Sequence, residues 1–210
     1  IEPLKDELLT YFEQTSPSSL EEVKTLKKFP NLFEYQKDAR DAWIDNDGIG
    51  IFEMGTGTGK TYTGIGCIKK LQEKHKKLLV LVAVPFVNLV DQWQEEMKKW
   101  YFDPPARILD GTGWIGKLHD EVTNFNKNSD SISILICTHA KFARRELIDE
   151  IKNAKVPMML IVDEAHHVGS GNAEKDNDGV VSFEGSRKGL SSYYKYRLAL
   201  SATINRHRDE

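Results

Sequence analysis

Short apolar runs alternate with longer stretches of helical periodicity along most of this chain. The apolar runs predict strands at 49–53, 78–84, 106–109, 132–137, 158–162 and 197–201. Helical spacing predicts helices around 35–45 and at 60–76, 87–100, 114–126 and 139–154. Because the strands are separated by helices, the pattern predicts an α/β fold with a parallel sheet covered by helices on both faces.

Two regions lie outside this alternation. Residues 1–29 predict a short helical extension, whose second helix begins at Ser19 in a capping box with Glu22. Residues 169–189 are rich in glycine, serine and charge, which predicts a long loop. We therefore expect the extension to precede a single domain at 30–210. Since the chain begins at isoleucine rather than methionine, we also expect it to be a fragment of a longer protein.

Length and composition exclude several classes of protein. The 210 residues suit one α/β domain, alone or with an extension. A net charge of −3 means that any nucleic-acid-binding face must be local. The longest apolar run, 78–87, is too short to span a bilayer. Cys67 and Cys137 have neither metal-ligand nor disulfide spacing, so we expect reduced thiols in a cytoplasmic protein with no membrane partner.

A glycine-rich loop, MGTGTGKT, follows the first predicted strand. Its three glycines let the backbone curl so that successive N–H groups point at the β- and γ-phosphates of a nucleotide. Lys60 supplies a mobile positive charge, and the Thr61 hydroxyl is a natural Mg²⁺ ligand. This is the pattern of a nucleoside triphosphatase phosphate loop, with Met54 in place of its first glycine; a glycine-rich turn that binds nothing is the alternative. The candidate nucleotide-binding residues are Gly55, Thr56, Gly57, Thr58, Gly59, Lys60 and Thr61.

Two adjacent acids follow the fifth predicted strand, in the segment MMLIVDEAHH. Open α/β sheets bind ligands at the carboxyl ends of their strands, and the phosphate loop also follows a strand end, so the two segments can meet. There Asp163 would hold Mg²⁺, directly or through water, while Glu164 would orient and deprotonate the attacking water. Taken alone, this segment could be a surface turn, and the phosphate loop upstream argues against that alternative.

A third buried strand ends in small hydroxyl residues, in the segment LALSAT at 198–203. A strand end with a local turn would give the same residues. The significance of this segment is its position, one strand after the acid pair. The order GTGKT, DEAH, SAT resembles the first RecA-like motor domain of superfamily 2 helicases and translocases, over about residues 30–208.

The resemblance implies a RecA-like P-loop NTPase domain that binds ATP and Mg²⁺, with Lys60 and Glu164 as catalytic residues. The glutamine motif of the family matches in part at LFEYQ, so Gln36 would read the adenine edge with Tyr35 nearby. Phe33 and Glu34 replace the arginine and proline that are common in related versions.

Further roles follow from the same resemblance. His166 would link the ATP site to its partners Ser201 and Thr203. VAVPFVNLVDQW is similar to motif Ia, and ILICTHAKFAR to the strand and threonine that contact the sugar-phosphate backbone, so Pro85 and Thr138 are the implied nucleic-acid contacts. The alternative is that both segments are core strand and helix.

The sequences MGTGTGKT, PFVNLVDQW and LALSATINRHRDE favour the branch of type I and type III restriction-enzyme motor subunits and DNA repair translocases. The implied function is ATP hydrolysis coupled to movement along nucleic acid, with DNA preferred over RNA. An RNA helicase motor domain, a nucleotide-gated nucleic-acid-binding module without translocation, and an ATPase acting on a small molecule or protein are the alternatives.

A second RecA-like domain would complete the ATP site with an arginine finger. The chain ends nine residues after Ser201, so we expect that domain to be absent here. The isolated chain would then bind ATP weakly and hydrolyse it poorly.

Overall fold

The computed structural model describes residues 30–109, 111–167 and 193–202. From Leu32 onward, the described residues belong to one compact unit. The helices predicted within 1–29, the loop predicted at 169–189 and Thr203 lie outside the described residues.

Strands and helices alternate along the described part of the chain as the apolar pattern predicts. The strands are β1 (Ile49–Glu53), β2 (Lys77–Val84), β3 (Ala106–Ile108), β4 (Ser131–Thr138), β5 (Met158–Val162) and β6 (Tyr196–Ser201). The helices are α1 (Glu34–Asp45), α2 (Lys60–Lys74), α3 (Val87–Lys99), α4 (Trp114–Lys127), α5 (His139–Phe142) and α6 (Arg145–Ile151). Every predicted strand agrees with the structure to within one residue at each end. None of the described helices is long and apolar enough to cross a membrane.

The single helix predicted at 139–154 is wrong, because the structure divides it into α5 and α6. The backbone of Arg144 is extended and begins the second helix. Phe142, Leu147 and Ile151 are all buried in one apolar cluster. Phe142 and Leu147 are five residues apart, a spacing that places them on different faces of a continuous helix. The break lets both side chains reach the same core.

The six strands form one parallel sheet in the order β1-β6-β5-β2-β4-β3. Strand β6 pairs with β1 on one side and with β5 on the other. The carboxyl ends of parallel strands meet at one edge of a sheet, so this order brings together the segments that follow β1, β5 and β6. These segments carry the GTGKT, DEAH and SAT sequences.

Alternate residues of β2 pack into two apolar clusters, one on each face of the sheet. Leu78, Val80, Val82 and Val84 pack into one cluster, with side chains of α1, α2 and α3. The intervening β2 residues Leu79, Leu81 and Ala83 pack into the other cluster, with side chains of α4, α5 and α6. Successive side chains of a strand point to opposite faces, so a continuous apolar run is what a sheet covered on both faces requires.

Candidate active site

The glycine-rich loop joins β1 to α2 through left-handed backbone conformations. Gly57 and Gly59 have φ of +81° and +83°, a region that glycine enters without a Cβ clash. Gly59 is the N-cap of α2 and makes no side-chain hydrogen bond to the first turn of the helix. Amide groups at such a helix start are suited to bind phosphate oxygens.

Lys60 joins the loop to the acid pair. Its side chain is 8% exposed, and its Nζ donates to the Met54 carbonyl at 3.2 Å. The same Nζ lies 3.6 Å from Glu164 Oε1. The structure therefore brings the lysine of the glycine-rich loop and the second acid of DEAH to one point at the edge of the sheet.

Asp163 is buried and held by hydrogen bonds from several directions. Its Oδ2 accepts from Trp93 Nε1 at 2.7 Å, and its Oδ1 accepts from the Glu164 amide at 2.9 Å. Its own amide donates to the Ala83 carbonyl at 2.8 Å. Burial raises the pKa of the Asp163 carboxyl above its usual range, and the hydrogen bond from Trp93 opposes that shift.

Glu164 has an unusual backbone and an unusual side chain. Its φ is +45°, which is uncommon for a residue other than glycine, and strain of this kind is concentrated at functional sites. Oε2 is buried and accepts no hydrogen bond among the described residues, although His166 Nδ1 lies 3.4 Å away. A buried carboxylate oxygen without a donor is costly unless a ligand or water completes it.

Ser201 connects the third motif to the other two. Its Oγ lies 3.2 Å from His166 Nδ1, and its carbonyl accepts from the Met54 amide at 3.0 Å. The DEAH segment and the start of the glycine-rich loop therefore both bond to the last residue of β6. The predicted pairing of His166 with Ser201 is present in this geometry, whereas Thr203 lies outside the described residues.

Tyr35 and Gln36 contact the glycine-rich loop. The Tyr35 hydroxyl donates to the Thr58 carbonyl at 2.7 Å, and Gln36 Nε2 donates to the same carbonyl at 3.1 Å. Gln36 is 2% exposed, and its Oε1 accepts from the Phe33 amide at 3.0 Å. The structure thus places both residues beside the loop, and the side-chain amide of Gln36 is hydrogen-bonded to the backbone. The recognition of adenine by Gln36 stays a prediction.

The two predicted nucleic-acid contacts lie at the starts of helices on the same edge of the sheet. Pro85 precedes Phe86, the exposed N-cap of α3. Thr138 is the N-cap of α5, where its hydroxyl accepts from the Lys141 amide at 3.4 Å. Thr138 is buried, so in this structure its side chain serves the helix, and its contact with nucleic acid stays a prediction.

Sequence reasoning missed two residues that bond to Asp163. One is Trp93, and the other is His139, whose Nε2 lies 2.9 Å from the Asp163 carbonyl. Burial lowers the pKa of His139 to about 4, so the ring is neutral at pH 7. The signal for Trp93 was available in the sequence, because a buried indole needs an acceptor for its N–H. Nothing in the sequence pointed to His139.

The residues at this edge of the sheet fit a magnesium nucleotide. A carboxylate offers about four acceptor positions, and the described hydrogen bonds use one on each oxygen of Asp163. The free acceptor positions of Asp163 supply hard oxygen ligands of the kind that Mg²⁺ prefers, directly or through water. The orphan oxygen of Glu164 stays available to accept from a water molecule. Lys60 and the uncapped start of α2 supply the positive potential for phosphates.

Comparison with known proteins identifies the family. Residues 29–206 match the family model described as the res subunit of type III restriction enzymes. The chain belongs to this family. It is also 31% identical, over 140 residues, to the DNA 3'-5' translocase XPB2 of Sulfurisphaera tokodaii, a match that covers 66% of this chain and 26% of that protein.

Solved structures agree on the fold. A nuclease-deletion mutant of the Type ISP restriction-modification enzyme LlaGI, in complex with a DNA substrate mimic, superposes with a TM-score of 0.60 at 18% identity. That match covers 86% of this chain and 19% of LlaGI. The Sulfolobus solfataricus SWI2/SNF2 ATPase core, in complex with dsDNA, superposes with a TM-score of 0.57 at 19% identity. That match covers 83% of this chain and 32% of the ATPase core.

The family match confirms the resemblance to a RecA-like superfamily 2 domain of the restriction-enzyme branch. The predicted fold class is confirmed as well, since the parallel sheet with helices on both faces is the RecA-like α/β fold. Membership of this family implies that the chain uses a nucleotide. The chain spans only 26% of the length of its curated relative.

Proposed function

We propose that this chain is the ATP-binding domain of a DNA-dependent motor that couples Mg-ATP hydrolysis to movement along DNA. One observation carries the proposal: Lys60 Nζ lies 3.6 Å from Glu164 Oε1 at the carboxyl edge of the sheet. A loop that only binds phosphate has no need of a carboxylate there. A hydrolase needs both a positive charge for the phosphates and a base for water.

Each residue would have a distinct task. The amides of the glycine-rich loop and of the first turn of α2 would bind the β- and γ-phosphates, and Lys60 would neutralise their charge. Glu164 would orient the attacking water and accept its proton on Oε2, which accepts no other hydrogen bond among the described residues. Gln36 and Tyr35 would hold the loop through the Thr58 carbonyl, beside the expected position of the adenine.

Asp163 and Thr61 would hold Mg²⁺, which would supply positive charge for the phosphates. Asp163 is buried and already oriented by two hydrogen bonds, so little reorganisation accompanies metal binding. A second RecA-like domain of the full-length protein would close over the nucleotide and contribute an arginine. His166 and Ser201 would transmit that closure between the ATP site and β6.

DNA is the proposed partner because XPB2 is a DNA translocase and both solved relatives are DNA complexes. The exposed start of α3 and the turn at Thr138 would contact the sugar-phosphate backbone. Such contacts carry little sequence information, so the affinity would fall with salt and vary little with base sequence. A cytoplasmic location is part of the proposal, in keeping with the absence of any disulfide spacing.

The decisive experiment measures ATP hydrolysis by the full-length protein with duplex DNA, single-stranded DNA, RNA and no nucleic acid. Stimulation by DNA that disappears in Glu164→Gln supports the proposal. Stimulation by RNA alone would replace DNA with RNA as the partner. Nucleotide-dependent binding to nucleic acid without stimulated hydrolysis would identify a gated binding module and refute the motor.

A further inference from the structure

Asp163 is held by side chains from two helices that begin at the predicted nucleic-acid contacts. Trp93 of α3 donates to its carboxylate at 2.7 Å, and His139 of α5 lies 2.9 Å from its carbonyl. Helix α3 begins two residues after Pro85, and α5 begins directly after Thr138. The proposed metal-binding aspartate therefore lies where the two helices converge.

The bond from Trp93 orients the carboxylate itself. The indole is completely buried, and its single N–H is committed to Asp163 Oδ2. A carboxylate turned about its Cβ–Cγ bond by loss of this donor would present different lone pairs to a metal. Partners that orient a metal ligand in this way matter nearly as much to metal affinity and activity as the ligand itself.

The bond from His139 holds the main chain at the same residue. A carbonyl oxygen can only accept, so Nε2 of the imidazole carries the proton. The Asp163 amide is bound at the same time to the Ala83 carbonyl of β2. The main chain of Asp163 is thus fixed through α5 and β2, and its carboxylate is fixed through α3.

We infer that Trp93 and His139 are positioning residues, which set the geometry of Asp163 for Mg²⁺ and connect it to the helices at the nucleic-acid face. This inference rests on the proposed function. A shift of either helix on nucleic acid would alter the orientation of Asp163 without any contact between nucleic acid and nucleotide. The two residues therefore affect the metal-dependent step of hydrolysis, whereas the phosphate loop holds the nucleotide.

Trp93→Phe in the full-length protein tests the role of Trp93. Phenylalanine keeps an aromatic ring in the core, while the N–H donor is lost together with part of the indole ring. We expect kcat with DNA to fall about ten- to a hundredfold. Mg²⁺ binding without turnover, measured by titration calorimetry with a non-hydrolysable ATP analogue, should weaken by a similar factor. The KM for ATP should change by less than about threefold, since the phosphate loop is untouched.

Trp100→Phe is the matched control. Trp100 is also buried at the end of α3, but its Nε1 has no hydrogen-bond partner among the described residues. The substitution removes the same atoms and breaks no bond to Asp163. The rate of ATP hydrolysis by this variant and its Mg²⁺ dependence should therefore match those of the wild type. Equal behaviour of Trp93→Phe and Trp100→Phe would overturn the role of Trp93.

His139→Ala and His139→Gln test the role of His139. They remain informative if Trp93→Phe does not fold. The alanine variant should lose rate and require more Mg²⁺, whereas glutamine, which can still donate to the Asp163 carbonyl, should recover part of both. Wild-type rates and Mg²⁺ dependence in the alanine variant would overturn the role of His139. A wild-type protein whose hydrolysis is stimulated by neither DNA nor RNA would instead refute the proposed function, and this inference with it.

Discussion

Lys60 Nζ and Glu164 Oε1 lie 3.6 Å apart, although more than a hundred residues separate them in sequence. The lysine is nearly buried and the glutamate side chain is 27% exposed. Each belongs to a segment that follows the carboxyl end of a strand, β1 for the lysine and β5 for the glutamate. Their proximity is a property of the sheet, because β6 alone separates those two strands.

Lys60→Ala and Glu164→Gln should impair the protein in different ways. Loss of the lysine charge should weaken nucleotide binding itself, since Lys60 faces the loop. Glu164→Gln keeps the size of the side chain and removes the base, so ATP should still bind while kcat falls about 10²- to 10⁴-fold. Equilibrium binding of a fluorescent ATP analogue, beside steady-state hydrolysis, separates the two. Equal loss of ATP binding in both variants would contradict the assigned roles.

Gln36→Ala distinguishes two roles for the glutamine. If Gln36 reads adenine, the variant should lose its preference for ATP over GTP. If it only holds the loop through the Thr58 carbonyl, the KM for both nucleotides should rise by the same factor, about fivefold to twentyfold for one or two lost hydrogen bonds. Tyr35→Phe, which removes a second bond to the same carbonyl, is the control for the loop-holding role. We expect loss of the preference, in agreement with the predicted adenine contact.

Ser201→Ala should separate hydrolysis from movement. The hydroxyl contacts His166 at 3.2 Å, and neither Lys60 nor Glu164 is changed. Hydrolysis with DNA should persist, while the distance moved per ATP falls. Triplex displacement measured beside ATP hydrolysis reports both. Ser133→Ala in β4, far from the carboxyl edge, should change neither, and proportional loss of both activities in Ser201→Ala would contradict a coupling role.

Gly48→Ala should destabilise the domain through a clash that sequence does not reveal. A Cβ at Gly48 would clash with Cδ1 of Tyr196, a buried ring whose hydroxyl bonds to His75. Gly48 also has φ of +69°, so its cost combines about 1–2 kcal/mol of left-handed backbone strain with about 1–3 kcal/mol of overpacking.

Gly113→Ala is the control for that prediction. Gly113 has φ of +92° and nothing within 4 Å of the added Cβ, so it should show the backbone strain alone. Urea unfolding of both variants measures the difference in the free energy of unfolding. Equal losses would mean that the Tyr196 ring moves aside without cost.

The strands were predictable because each contains a short apolar run, a pattern that needs no knowledge of neighbours. The break between α5 and α6 was not predictable in the same way, because it depends on where Phe142 and Leu147 meet the core. Helical propensity allows one continuous helix there. Burial of both side chains in the same cluster decides against it.

The sequence by itself determined the α/β alternation, the family and the segments that carry the chemistry, because hydrophobic periodicity and glycine, lysine and carboxylate spacing are local properties. The family resemblance implied the pairing of His166 with Ser201. Only the tertiary structure decided the other contacts, those of Lys60 with Glu164 and of Trp93 and His139 with Asp163. Those contacts depend on the strand order and on the packing of helices against the sheet. A buried indole signals that it needs an acceptor, but the sequence does not say which one, since hydrogen bonds and ion pairs between distant residues form only when folding brings the two groups into contact.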